Sequence, residues 1–481
     1  MHTKNPFNFE YSYLSLPGKF YSLVKPDTLA VPEIFLLNEK LCDKLNISKK
    51  QLEEYIPALG NEIPFENTFA QAYAGHQFGH FTKLGDGRAI ILGEHIDYKK
   101  QRFDVQLKGS GITIYSRRGD GKATLKSMLR EYLISEAMYH LNIPTSRSLA
   151  VIKTGQPVFR EKVNEGAALI RVMKSHIRVG TFEYAAHFGS TEDLKALANY
   201  TINRLYPDIS QGENPVMSLL KIVMEHQIEL VVNWLRVGFI HGVMNTDNTA
   251  ISGETFDYGP CAFLNSYNPD TVFSSIDRTG RYAFGNQPGI IKWNIARFAE
   301  AMLSIIHSDK KVAIDLAQEL INSFDDIWKE KFYNSMLRKI GIENANPELF
   351  SLADELLVLM QRLKLDYTNT FAGLSDENGA HDEKSNHPDF KVWKEKWEQA
   401  INSQYGFGRA KEIMRQNNPI YIPRNHLVEQ ALDEAVSGNR TPFERLLNIL
   451  SDPYSYQNVS EEYMQPPGLE FENRYQTFCG T

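Results

Sequence analysis

The stretch His241-Gly242-Val243-Met244-Asn245-Thr246-Asp247-Asn248, followed by Asp257-Tyr258-Gly259, organises the reading of this chain. Asn248 and Asp257 offer oxygen ligands of the kind that hard divalent cations take, Mg²⁺ or Mn²⁺. Between them, Thr249-Ala250-Ile251 and Ser252-Gly253-Glu254 predict a short strand and a turn. A hairpin of that kind would bring the two donors together as a two-point metal site. Asp247 stands beside Asn248.

Protein kinases carry His-Arg-Asp-x-x-x-x-Asn and then Asp-Phe-Gly. The loop Asp takes the substrate proton, and the Asn and the second Asp hold metal. Here His241, Asn248 and Asp257-Tyr258-Gly259 fit that pattern, but Val243 occupies the place of the base. The metal-holding half is present and the usual base is missing. That combination points to nucleotide chemistry other than ordinary phosphotransfer. The fold class it implies is α+β: a protein-kinase-like two-lobed fold with a small β-rich N-lobe, a larger helical C-lobe, and N- and C-terminal extensions.

Composition narrows the class. The chain has 481 residues, of which 42% are hydrophobic and 23% charged, as in ordinary globular proteins. Its formal net charge of −7 argues against a nucleic-acid partner. No apolar run approaches the ~20 residues that span a bilayer. The N-terminus has no apolar signal core, so a cytoplasmic protein is expected. Cys42, Cys261 and Cys479 form neither a CxxC motif nor an even disulfide framework.

Upstream of the central stretch, Tyr73 to Arg88 is punctuated by Gly75, Gly79, Gly85 and Gly87 and reads as two short strands around a Gly-rich turn. Such turns let backbone approach phosphates, though most are simply turns. His76 and His80 read as structural histidines. In Arg102-Phe103-Asp104-Val105-Gln106-Leu107-Lys108 the residues alternate as in a strand, with Lys108 on the polar face. Such a lysine could reach a phosphate; taken alone it reads as solvent-facing. Ser116 to Lys122 forms a basic Gly-containing loop before an amphipathic helix over 123–141. That helix offers two acidic partners for Lys108. Periodicity favours Glu136, on the apolar face, over Glu131. Residues 147–173 read as further strands, and Arg171, Lys174, His176 and Arg178 form a cationic cluster suited to phosphates or to an exposed loop.

Helices dominate from about residue 182, with a long apolar one over 219–237 leading to His241. Residues 371–390 are polar and read as a mobile surface loop. The expected organisation is a 1–65 extension packed on the main fold, a 66–180 nucleotide-binding N-lobe, a 181–370 C-lobe with catalytic and metal loops, and a 371–481 loop and helical extension with a Cys-containing tail.

Several stretches resemble the selenoprotein O family (SelO/YdiU), pseudokinases that act as protein adenylyltransferases. They are YAGHQFGHFTKLGDGRA, DVQLKGSG, SRRGDGKA, SMLREYLISEAM, ALIRVMKSHIRVGTFE, HGVMNTDN, FDYGPCAF, NPIYIPRNH and the terminal FCGT. The resemblance implies a kinase-like fold that holds ATP in reverse, so that AMP passes to a Ser, Thr or Tyr hydroxyl of a protein and pyrophosphate leaves. Position by position, it implies that Lys108 is the phosphate-contacting strand lysine and Glu131 its partner, against the periodicity. It implies that Gly85, Gly87, Arg88, Asp120 and Gly121 contact nucleotide, and that Arg171 and Arg178 hold the distal phosphates. Asn248 and Asp257 become metal ligands and Asp247 the base. It suggests a possible redox pair, Cys261 with Cys479, with two independent thiols as the alternative. The implied partners are protein substrates, with no nucleic acid and no membrane, and the protein is expected to be a monomer. Alternatives are conventional phosphotransfer, an inactive ATP-binding scaffold, or UMP transfer from UTP. Acceptor recognition is expected to use the C-terminal helices and the 371–390 loop.

Overall fold

In the computed structural model the described residues are 5–60, 66–343, 346–375 and 387–478. The chain forms a mixed α+β structure, β-rich in its N-terminal part and helical in its C-terminal part. The strands in chain order are β1 Phe9–Glu10, β2 Tyr21–Leu23, β3 Glu33–Leu37, β4 Phe69–Gln71, β5 Ala74–Gln77, β6 His80–Lys83, β7 Ala89–Ile96, β8 Arg102–Lys108, β9 Ala123–Thr124, β10 Arg147–Phe159, β11 Val163–Met173, β12 Phe239–Ile240 and β13 Ala262–Phe263. Nine of them make one antiparallel sheet in the order β2-β4-β7-β8-β11-β10-β3, with β1 on β7 and β9 on β11. The hairpin β5–β6 and the pair β12–β13 stand apart from it.

The first segment of the chain is woven into this sheet rather than laid on it. β2 pairs with β4 and β3 with β10, so residues expected as an extension supply both edge strands. The helices Glu39–Leu45 and Lys49–Tyr55 then cover the outer face, burying Leu41, Leu45, Leu52 and Ile56 against Leu107, Ile152 and Ile170. β10 runs unbroken through Gly155-Gln156-Pro157; a bulge between Lys153 and Pro157 absorbs the irregularity.

The helix Leu125–His140 packs across the inner face of the sheet, started by Thr124, whose side chain accepts from Ser127 N. Its other side meets the helices Asn425–Val436 and Thr441–Leu450, so it is buried nearly all round. The long helix Pro215–Val237 begins with Asn214 as N-cap and Pro215 at its first position and stops at Gly238, in the left-handed region at φ 77°. That stop turns the chain into β12 and delivers His241 to the base of the site.

The C-terminal helices are tied to the same region. The fully buried Arg424 donates to Asp366 Oδ2 at 2.6 Å and Oδ1 at 3.0 Å. Asn425 closes a two-way bridge with the backbone of Phe263, donating to its O at 3.0 Å and accepting from its N at 3.2 Å. Of the polar segment 371–390, residues 371–373 end the helix Tyr367–Gly373 and 388–390 open the helix Pro388–Gln404; 376–386 lie outside the described residues. Among the described residues no helix is long and apolar enough to cross a membrane.

Candidate active site

Alternation along β8 points Asp104, Gln106 and Lys108 to one side, and all three are buried. That side faces the helix Leu125–His140 and β11 rather than solvent. Lys108 Nζ donates to Glu131 Oε2 at 2.7 Å and to Asp257 Oδ1 at 2.6 Å. Arg171, on β11 beside Gln106, donates through Nη1 to Glu131 Oε1 at 3.1 Å and lies 3.5 Å from Asp257 Oδ1. Two cations and two carboxylates thus form one cluster. Burial would push the Asp257 carboxyl up, but Lys108, Arg171 and Arg88 outweigh it and hold it well below the usual range. Glu131 is held down against burial by Lys108 and Arg171 in the same way.

Glu136, favoured by periodicity, pairs elsewhere: it receives Arg147 Nε at 2.8 Å and Nη2 at 2.6 Å. Periodicity points to the wrong glutamate because the helix has no solvent face at either position.

The 241–248 loop is built from its own side chains. His241 Nε2 donates to Phe256 O at 3.1 Å, and Asn248 Nδ2 donates to Val243 O at 3.0 Å. No strand pairing joins 249–251 to 254–256. Ala250 bridges Arg178 and Thr255 bridges Thr145, so the expected hairpin is replaced by contacts with distant segments. Asn248 and Asp257 are still brought to one place, because both line the same cavity. Asp257 sits at φ 64°, a conformation that costs free energy for a non-glycine residue and occurs where surroundings enforce it.

Asp247 points away from that cavity wall, under β5. Gly75 of β5 and Gly180 of the helix Val179–Phe188 close on it from two sides, and neither has room for a Cβ. Its Oδ1 is buried without a hydrogen-bond partner. Burial pushes its carboxyl up to about 6, against the pull of Arg178. Arg178 Nη1 donates to Asp247 O at 3.1 Å, and its Nη2 lies 3.6 Å from Asp86 Oδ1 and makes no hydrogen bond. One oxygen of Asp247 and one nitrogen of Arg178 are thus left without partners, although the same carboxyl meets the Gln77 side chain and the same guanidinium donates through Nε and Nη1. Buried polar atoms without partners are uncommon.

The cavity has a volume of about 1040 Å³, at the upper end for small-molecule sites. Arg88, Lys108, Glu131, Asn248 and Asp257 line one end. Tail residues Phe471, Tyr475 and Phe478 line another wall. The tail is fastened there by Thr477, which donates through Oγ1 to Pro260 O at 2.7 Å. This wall, and the roles of Asp86 and Gln106 in bracing Arg178 and Arg171, had no local signal in the sequence.

The other expected residues fall nearby or apart. Gly85 packs on the Tyr115 ring and Gly87 on the Tyr115 carbonyl, so this turn is shaped by a side chain of the loop over 109–122. Asp120 is paired with Arg160 at 2.8 Å on the surface, and Gly121 accepts from Gly111 N at 3.1 Å; neither lines the cavity. Cys261 is fully buried and its thiol is pushed up to about 11 by burial. Cys479 lies outside the described residues, as does any pairing with it.

As donors for a cation, Asn248 and Asp257 supply an amide oxygen and a carboxylate facing one cavity. Among the described residues no cluster of three or more His, Cys, Asp or Glu forms a metal cage. Two protein oxygens with the remainder from phosphate and water is the pattern by which Mg²⁺ binds with nucleotides, so the pair fits such an ion.

The comparisons with known proteins agree in kind. The family model described as "Protein adenylyltransferase SelO" matches residues 4–451. The chain is 49% identical over 481 residues to the protein nucleotidyltransferase YdiU of Bacillus mycoides, covering 99% of this chain and 98% of the relative. It is likewise 49% identical over 482 residues to YdiU of Bacillus cereus, with the same coverage. To YdiU of Bacillus anthracis it is 48% identical over 481 residues, again covering 99% and 98%.

Proposed function

The chain belongs to the SelO family of protein adenylyltransferases and is a protein nucleotidyltransferase, and from that premise we propose that it transfers AMP from ATP to Ser, Thr or Tyr hydroxyls of proteins. We read the architecture as kinase-like, with the β-rich part and the helical part as two lobes around the cavity. ATP lies reversed, its α-phosphate toward the acceptor.

The observation that carries this reading is the cationic cluster. Lys108 and Arg171 converge within hydrogen-bond reach of Glu131, and Arg178 stands nearby with an unsatisfied Nη2. In attack at the α-phosphorus, the acceptor oxygen forms the new P–O bond. The bond to the β-phosphate oxygen breaks, and pyrophosphate leaves with its electron pair. Negative charge therefore grows on the distal phosphates. Fixed cations aimed there are worth several kcal/mol in the transition state. Asp247, whose carboxyl is pushed up to about 6, is the group to which we assign the acceptor proton. Val243, at the place of the kinase base, has no proton-accepting atom, which disfavours ordinary phosphotransfer.

Asn248 and Asp257 would hold Mg²⁺ or Mn²⁺. Such an ion, when bound, neutralises charge on the nucleotide phosphates. Asp257 is ionised and so ready for that task. We place the enzyme in the cytoplasm, as a monomer acting on protein substrates.

The test is a pair of incubations with ATP radiolabelled at the α- or the γ-phosphate, plus metal and an acceptor protein extract. Label in protein from the α position alone is expected. Label from γ alone would replace this reading with phosphotransfer.

A further inference from the structure

The β5–β6 hairpin turns at Phe78-Gly79 directly over the loop that carries Asp247. His76 N donates to Thr246 Oγ1 at 2.7 Å and Phe78 N to Asn245 Oδ1 at 3.1 Å. Tyr282 OH donates to the same Asn245 Oδ1 at 2.5 Å. Beside that turn stands Arg281. Its guanidinium is 3.9 Å from where a Cβ on Gly79 would stand and 4.9 Å from the centroid of the Trp293 ring. Trp293 is in turn edge-on to His76 at 5.2 Å. A guanidinium is thereby laid on an indole at the rim of the loop that holds the candidate base.

The neighbouring charges are spoken for, and Arg281 is not. Arg297, also over Trp293, pairs with Glu300 at 2.6 Å, and Lys292 pairs with Asp325 at 2.6 Å. Asp277 spends its two oxygens on the backbone N–H groups of Arg281 and Tyr282, at 2.9 and 2.7 Å. Among the described residues Arg281 has no ion-pair partner. Its side-chain polar contact is with the Tyr282 hydroxyl, and its Nε is buried without a hydrogen bond. Arg278, on the same loop, is exposed and also unpaired among the described residues. This is a local surplus of positive charge on a chain of net charge −7. Taking a cation partly out of water is unfavourable unless an anion meets it. A guanidinium fixed by stacking loses little freedom on forming a forked contact with a carboxylate.

Resting on the reading of Asp247 as the group that takes the acceptor proton, we propose that Arg281, seated on Trp293, binds an Asp or Glu side chain of the acceptor protein close in sequence to the modified hydroxyl. The favoured acceptor is then a hydroxyl in an acidic stretch. Arg278 adds attraction at longer range. This surface lies on the hairpin side of the site, where Arg281 stands beside Gly79.

The test uses the full chain and two fluorescent peptides, one with a Ser flanked by Glu on each side and one with Gln in place of each Glu. Binding is read by anisotropy, and transfer from α-labelled ATP is read separately. The Glu peptide is expected to bind about tenfold tighter, as a charge-assisted contact gives, with the difference shrinking as salt rises. Arg281→Gln should remove the difference, and Arg281→Lys, which keeps the charge, should retain part of it. Equal binding of the two peptides to the unaltered chain overturns the docking proposal, as does a preference that persists in a folded Arg281→Gln variant. Retained selectivity in binding with no transfer from the α position overturns the adenylyl-transfer reading and leaves the docking surface standing.

Discussion

Gly75→Ala is the substitution that isolates the position of Asp247 from its presence. The new Cβ would stand 2.5 Å from Asp247 Oδ1, 2.9 Å from its Cβ and 3.0 Å from its Cγ. Relaxed contacts between such atoms are about 3.5 Å, so the carboxylate must retreat by about 1 Å. It has little room to do so. The Cα of Asp247 lies close to Gly180, and its carbonyl is held by Arg178 Nη1 at 3.1 Å. Overpacking of this kind costs about 1–3 kcal/mol, offset by roughly 0.5 kcal/mol from replacing a strand glycine. The variant should therefore fold. A displacement of about 1 Å at a reacting group is worth on the order of 100-fold in rate. Single-turnover transfer at saturating ATP should fall by about that factor, with ATP affinity within about threefold of the parent. A folded Gly75→Ala protein with unchanged transfer rate would refute the argument that Asp247 acts from this position.

Further expectations concern the charges around the site. Glu131→Gln should abolish most transfer per folded molecule, since Lys108 and Arg171 lose the carboxylate they share. Glu136→Gln should leave transfer per folded molecule intact but cost about 3 kcal/mol in urea unfolding, since Arg147 is left buried and unpaired; the reverse pattern would mean that the glutamate roles are exchanged. Burial pushes Glu254 up from 4.5 to about 7. The folded state therefore keeps a proton that the unfolded state has lost, and stability present at low pH is lost as pH rises from 4.5 to about 7. Compared with Glu254→Gln, the parent should lose on the order of 3 kcal/mol at most across that window; a parent that gains stability there would contradict the assignment. Chelation of divalent ions should stop transfer, and Mg²⁺ or Mn²⁺ should restore it in the parent but not in Asp257→Ala. Transfer that survives a chelator would remove the metal role from Asn248 and Asp257.

Some of this site can be read from the chain itself and some cannot. Asn248 and Asp257 stand out because their spacing in one stretch sets them near each other without knowledge of distant contacts, whereas Lys108 reads as solvent-facing until Glu131 of the helix over 125–140 is seen against it. The choice between Glu131 and Glu136 failed on periodicity because periodicity assumes one wet face, and this helix is covered by the sheet on one side and by the C-terminal helices on the other. The hairpin expected over 249–256 failed because Ala250 and Thr255 pair with Arg178 and Thr145, 72 and 110 residues earlier in the chain, rather than with each other's strand. The edge strands in the first segment are long-range pairings of the same kind. Gly75 reads as an ordinary turn glycine until Asp247 is seen beneath it. The tail that walls the cavity is brought there by long-range contacts, among them Thr477 with Pro260 and Phe273, and Tyr475 with Arg130.

The central claim is that the transferred group is adenylyl and leaves pyrophosphate behind. Mass spectrometry of an acceptor protein after reaction with ATP and metal tests it most directly. The account predicts a Ser, Thr or Tyr hydroxyl heavier by one adenylyl group, with the adduct absent from Asp257→Ala reactions. A hydroxyl heavier by one phosphoryl group would contradict it.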